Sequence, residues 1–272
     1  MISQPFLAKF KTMRLDLVAV ISLSVIFMTI FTIVSLHRFW QYSTWYYDFG
    51  IFYQAISAVS QGKPPIIDHF VFQGKNILGD HFHPLIFIIS PLLMVIPKPE
   101  VLLVVQALAV TLSGIFVYLT SQKILKNKLE SLAMLLIYFS FVGLHNALIT
   151  EFHAITLLPL PLSIFFYALV TKKKWLYLVS WVAILLTKET TFIIPAFFGL
   201  YLTVKNWCAA NEHAHQWRLL GIITTLISLI YGVIIIKFVM PSISGLDYRY
   251  LAEASSNFSW SELINPFKLK TI

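Results

Sequence analysis

The block from Leu15 to Leu36 constrains this chain more than any other feature. It is apolar almost throughout and long enough to cross a bilayer, which takes roughly 20 residues. Further blocks follow at Val101–Leu119, Leu132–Ile149, Ala154–Val170, Trp175–Thr187, Thr190–Val204 and Leu219–Val239. Hydrocarbon offers no partner to a backbone N–H or C=O, so a segment crossing it must satisfy those groups internally, as a helix does. Composition agrees: 58% of residues are hydrophobic and 12% are charged, about half the charged share of a soluble domain. The reading is an all-α polytopic membrane protein, with one transmembrane domain over residues 1–272.

Lysine and arginine set the orientation. Lys9, Lys11 and Arg14 precede the first block and put the N-terminus in the cytoplasm. Lys123, Lys126 and Lys128, then Lys172 to Lys174, then Lys205 mark later cytoplasmic ends. This is the pattern of a multi-pass protein of the plasma (inner) membrane. It accounts for the net charge of +8 without nucleic acid as a partner, and no nucleic-acid motif is present. The one cysteine, Cys208, cannot form an intrachain disulfide. No small-residue cleavage site follows Leu36, so the first block reads as a span and not a removable signal. Leu85–Ile96 is short for a span, is interrupted by Pro91 and is closed by Pro97-Lys98-Pro99. It is expected to be a re-entrant or interfacial helix, because a crossing there would put Lys123 to Lys128 outside. The tally is about seven transmembrane helices, with the C-terminus outside.

The first outer loop, residues 38–84, is the densest polar stretch, carrying Asp48, Asp68, Asp80, His69, His81 and His83. Within it Phe49, Phe52, Ile56 and Val59 recur at three and four residues, which predicts an amphipathic helix lying on the membrane surface with its apolar side down. Asp48, beside Tyr47, Phe49 and Gly50, is a candidate general base tuned by partial desolvation. The competing reading makes it the N-cap of that helix.

Nine of the twelve acids fall on the outer side in this topology, among them Asp48, Asp80, Glu100, Glu151 and Glu189. The positive-inside rule counts only Lys and Arg, so this asymmetry is independent of the way the topology was built. Acids at span ends are costly in lipid and tend to face a cavity, so Asp48, Asp80, Glu151 and Glu189 are expected on the rim of one outward chamber. His81, His83, Glu151 and His153 are expected to bind substrate there by hydrogen bonds. His and carboxylate suit zinc, manganese or iron, but the spacing matches no established metal signature, and no metal ligands are assigned from sequence. A divalent ion stays open as a cofactor. Lys188, followed by Glu189, could hold a phosphate at the membrane surface or simply pair with its neighbour. Arg249 is a second phosphate candidate, because its planar fork suits bidentate contact.

The motifs Tyr47-Asp48-Phe49-Gly50-Ile51-Phe52, Gly79-Asp80-His81-Phe82-His83-Pro84, Glu151-Phe152-His153, Thr187-Lys188-Glu189 and Tyr248-Arg249-Tyr250-Leu251 resemble a family of predicted polytopic membrane proteins, the DUF2079 type. The resemblance covers roughly residues 40 to 265. That family is similar in layout to the GT-C glycosyltransferases, which take a sugar from a polyprenyl-phosphate carrier at the outer membrane face and use an acid of the first outer loop as base. The resemblance implies the same here. Asp48 would be the base and Asp80 the second choice, with membrane lipid and a lipid-phosphate-linked sugar donor as partners. Family members carry further spans, so the chain is expected to be C-terminally incomplete. The rival functions are a transporter with intramembrane acidic ion or proton sites, and a catalytically silent membrane protein of envelope assembly.

Overall fold

The computed structural model describes residues 4–67, 76–208 and 211–248. Helix α1 (Gln4–Trp40) contains the first span, Leu15–Trp40. From Leu15 onward it is apolar all round: Leu17, Ile21, Val25, Ile30 and Ile33 are exposed, and among its described side chains only the stripe Val20, Ser24, Phe27, Phe31 and Ser35 is buried. A helix with that much greasy surface belongs in lipid, and the buried stripe is its seam with the bundle. Phe27 stacks on Phe139 with ring centroids 4.2 Å apart.

After α1 come α2 (Tyr46–Ser60), α3 (Ile77–Asp80), a 3₁₀ turn (Pro84–Ile89) and α4 (Ser90–Val95). The long α5 (Glu100–Leu125) leads to α6 (Lys128–Phe139) and α7 (Val142–Thr150). A second 3₁₀ turn (Ala154–Leu157) feeds α8 (Pro159–Thr171), followed by α9 (Lys174–Leu185), α10 (Ile193–Lys205) and α11 (Glu212–Ile234). One π turn (Ile235–Val239) joins α11 to α12 (Met240–Ser244). Among the described residues the only β pairing is a single bridge between Ile66 and Asn76.

Among the described residues four helical stretches are long and apolar enough to cross a membrane: Leu15–Trp40, Glu100–Leu125, Ala154–Thr171 and Ala214–Ser244. The pair α6–α7 makes a fifth if its 44° bend is one broken span. At the break the freed Phe139 carbonyl is bonded by the His145 ring, which satisfies the backbone group that the bend exposes. Sequence patterning leads to about seven spans, and its two remaining blocks are present as the short apolar helices α9 and α10, of 12 and 13 residues.

The chain runs back and forth, so that loops gather at two ends. At the lysine end Asp16 accepts from Lys128 Nζ and from the Tyr118 hydroxyl, both at 2.9 Å, tying α1, α5 and α6 together. At the same end Lys174 Nζ donates to Gln216 Oε1 at 2.6 Å. Helices α10 and α11 approach closely: a Cβ on Gly199 would lie 2.6 Å from the Gly221 carbonyl, and a Cβ on Gly221 would lie 2.6 Å from the Gly199 carbonyl. Small residues at a crossing let backbones approach where lipid gives no hydrophobic drive.

The opposite end holds α2 and the 84–95 segment. The amphipathic face of α2 is real, but it is not laid on lipid. Phe49, Phe52, Ala55 and Ile56 are buried against Ile86, Ile89, Leu93, Leu102 and Phe152. The short segment folds under α2 and takes the place that a bilayer surface would have had.

Candidate functional site

Local geometry explains how each polar residue is held. Helix α2 begins at Tyr46 with Trp45 as its N-cap and no side-chain cap bond, so Asp48 lies in the first turn and is not the cap. A carboxylate there is favoured by the helix dipole. Asn76 caps α3 by accepting from the Leu78 N–H at 3.1 Å, and the chain then extends through His81 to His83, where Pro84 starts the 3₁₀ turn. Glu151 ends α7 in extended backbone, and Phe152 plugs the core with no exposed surface. The His153 carbonyl accepts from the Thr156 N–H at 3.0 Å and from its hydroxyl at 2.6 Å. That hydroxyl also reaches Gln106 Oε1 of α5 at 3.0 Å.

These pieces meet as two adjoining groups. In the first, His153 Nε2 is 3.7 Å from Asp48 Oδ2, and His153 Nδ1 is 3.1 Å from Glu151 Oε1. One ligand-type atom from each of the three lies within 4.8 Å of the other two, so this group could hold a metal ion. Asp48 and His153 are about 40% exposed, while Glu151 is buried and its Oε2 has no hydrogen-bond partner. In the second group Glu189, with no exposed surface, accepts from His81 Nδ1 at 2.9 Å, from the Phe82 N–H at 3.0 Å and from the Tyr248 hydroxyl at 2.9 Å. Phe52 stands between the groups, its ring 5.3 Å from that of His83 and 5.8 Å from that of His153.

The electrostatics follow from burial and from this crowding. Burial and the neighbouring Asp48 charge raise the Glu151 carboxyl above its ordinary value, against the Trp45 N–H and Arg38. Burial lowers the His153 imidazole; Asp48 pulls it up, and Lys188 and His81 push it down. His83 is driven down to about 3, mostly by burial and then by the His81 charge, so it is neutral at any physiological pH. For Glu189 burial works upward but is outweighed by the hydrogen bond and charge of His81, and its carboxyl ends below the ordinary value. The Lys188 charge acts on His83, His153 and Glu189 alike, as a lesser cause in each case.

The arrangement brings together Asp48, His81, His83, Glu151, His153, Lys188 and Glu189 from four separate stretches of chain. Asp80 ends α3, one residue before His81, and is not part of the Asp48–Glu151–His153 group. Glu189 does not line an open chamber, because it is sealed and occupied by three donors. Arg249, Asp68 and His69 lie outside the described residues. Sequence reasoning gave Phe52 only a place on the apolar face of its helix, and gave the Tyr248 hydroxyl no role. The only available signal for Tyr248 was its place in a motif beside Arg249.

Fold and site together define a multi-pass, all-α membrane protein with a carboxylate–imidazole cluster gathered at one end of its bundle. The chain belongs to the DUF2079 family of predicted membrane proteins, whose model matches residues 38–269. No curated protein and no solved structure matches it.

Proposed function

We propose that this protein transfers a sugar, with inversion, from a polyprenyl-phosphate donor to an acceptor hydroxyl at the outer face of the plasma membrane. The observation behind this is the convergence of Asp48, Glu151, His153, His81 and Lys188 at the end of the bundle opposite the lysine clusters. The reading takes α9 and α10 as the remaining two of seven spans, with the N-terminus cytoplasmic, in a GT-C-like layout. Asp48 is partly exposed and takes the acceptor proton as the acceptor oxygen attacks the anomeric carbon. The bond from that carbon to the phosphate oxygen breaks, and the phosphate leaves with the electron pair toward Lys188, with Arg249 as the second candidate. His81, His83, Glu151 and His153 surround the sugar. Glu189 holds the His81–His83 stretch in place.

The experiment is transfer from a radiolabelled polyprenyl-phosphate sugar by the purified chain in proteoliposomes. Asp48→Asn keeps the shape but accepts no proton, so turnover is expected to fall about 10² to 10⁴-fold with unchanged melting. Near wild-type transfer by this variant passes the role to Asp80. No transfer by the wild type with any such donor rejects the reading. A transporter is the rival, and the 44° break in α6–α7 is the feature that would favour it. There, however, the one histidine near the break, His145, is engaged with the Phe139 carbonyl and packed 4.7 Å from the Phe31 ring.

A further inference from the structure

We propose that Asp48, Glu151 and His153 form an open, three-ligand site for a divalent cation of the zinc or manganese class. One ligand-type atom from each lies within 4.8 Å of the other two. Bonds of about 2.0 to 2.2 Å to one ion hold neighbouring ligand atoms about 3 to 3.5 Å apart, so modest side-chain rotation closes the set around an ion. The independent mark is Glu151 Oε2. Its side chain is 7% exposed, the other oxygen faces His153 Nδ1 at 3.1 Å, and Oε2 makes no hydrogen bond of normal geometry, with the Trp45 N–H as the backbone donor that acts on the carboxyl. A buried carboxylate oxygen left without a donor bears its desolvation uncompensated, and native structures rarely leave one unexplained. A cation bound to this carboxylate supplies what is missing.

The donor set selects the metal. An imidazole nitrogen with two carboxylates suits zinc and manganese, whereas magnesium and calcium prefer all-oxygen shells. The three ligands arise from separate supports: Asp48 from the first turn of α2, Glu151 from the end of α7 and His153 from the stretch fixed by Thr156 and Gln106. Asp48 and His153 are each about 40% exposed, so the fourth position opens away from the core, as in metal sites that receive a further ligand. With Asp48 lending one oxygen to the ion, its other oxygen remains for a substrate hydroxyl. The metal site uses the same residues as the proposed transferase but does not depend on that activity.

The test is metal binding without any sugar. The full chain is stripped with chelator in detergent micelles and titrated with zinc chloride or manganese chloride by calorimetry, with magnesium and calcium chloride for comparison. The expected result is one zinc or manganese ion per chain, with magnesium and calcium weaker. Glu151→Gln and His153→Gln, each checked for metal-free melting, should weaken binding by about tenfold to a hundredfold or more. Glu130→Gln, in the exposed first turn of α6, should bind as wild type does. If one ligand variant does not fold, the other decides. Binding that is absent, is not stoichiometric or is equal in the ligand variants overturns the site, whatever the transfer assay shows.

Discussion

The Glu189 carboxylate takes a hydrogen bond from the His81 ring at 2.9 Å, across 108 residues of sequence. One buried acid thereby fixes the Gly79-to-Pro84 stretch to the turn between α9 and α10. Glu189→Gln presents an amide N–H₂ to a pocket built from three donors and breaks a charge-assisted contact. The expected loss is about 3 kcal/mol, as for removing one member of a buried pair. Thermal melting in detergent checks it, and a melt equal to wild type would show that the contact carries nothing.

Acid should loosen the same end. His83 takes a proton only near pH 3 in the fold but near 6.5 when unfolded, so its contribution is whole above pH 6.5 and is lost as pH falls toward 3. Glu189, with its carboxyl lowered, adds a loss below the ordinary carboxylate value of 4.5, while Glu151, with its carboxyl raised, works in the opposite sense. At pH 5 the His83 part is about 2 kcal/mol. Because the buried His83 Nε2 has no partner, His83→Phe should melt close to wild type at pH 8 and above it at pH 5. Equal melts of the two proteins at both values would remove His83 as the source.

Gly199→Ala or Gly221→Ala places a methyl group 2.6 Å from the facing helix's carbonyl oxygen, a backbone atom that cannot rotate away. The helices must separate, and Thr225 Oγ1 then loses its 3.0 Å bond to the Ala196 carbonyl. Overpacking of this kind costs about 1–3 kcal/mol, measurable as a lower unfolding midpoint. A neutral result at both positions would mean that α10 and α11 cross less tightly than described here.

Lys188→Gln should separate binding from chemistry in the proposed transfer. Its side chain is only partly buried, so the fold is expected to hold, while KM for the phosphate-bearing donor should rise about tenfold or more. Unchanged KM would take Lys188 out of phosphate contact.

The long spans were legible in the sequence because bilayer thickness imposes a length on α1, α5 and the α11–α12 stretch that no packing detail can hide. The lysine clusters likewise suggested which loops share an end, and so led to the expectation that Asp48, Asp80, Glu151 and Glu189 lie on one side. Which of them touch depends on helix rotation, and periodicity does not report that. Glu189 was expected on an open rim, but the Tyr248 hydroxyl and His81 close over it. The α9–α10 blocks are shorter as helices than as apolar runs, because Thr191 turns back to bond the Ile184 and Lys188 carbonyls and ends the regular structure. The α10–α11 crossing did have a visible signal, a Gly-x₃-Thr pattern at Gly199–Thr203 and again at Gly221–Thr225.

The shortness of α9 and α10 has a consequence for the bilayer itself. At about 1.5 Å per residue, 12 and 13 residues make rods of about 18 and 20 Å, against a hydrocarbon core of about 30 Å. In the proposed seven-span topology the pair crosses between the lysine end and Glu189, so a mismatch of about 10 Å would fall on the lipid around it. Acyl chains must compress there, or headgroups and water must dip toward the Thr187–Thr191 turn. On that topology the carboxylates and imidazoles would sit in a dimple below the surrounding membrane surface, level with headgroup phosphates.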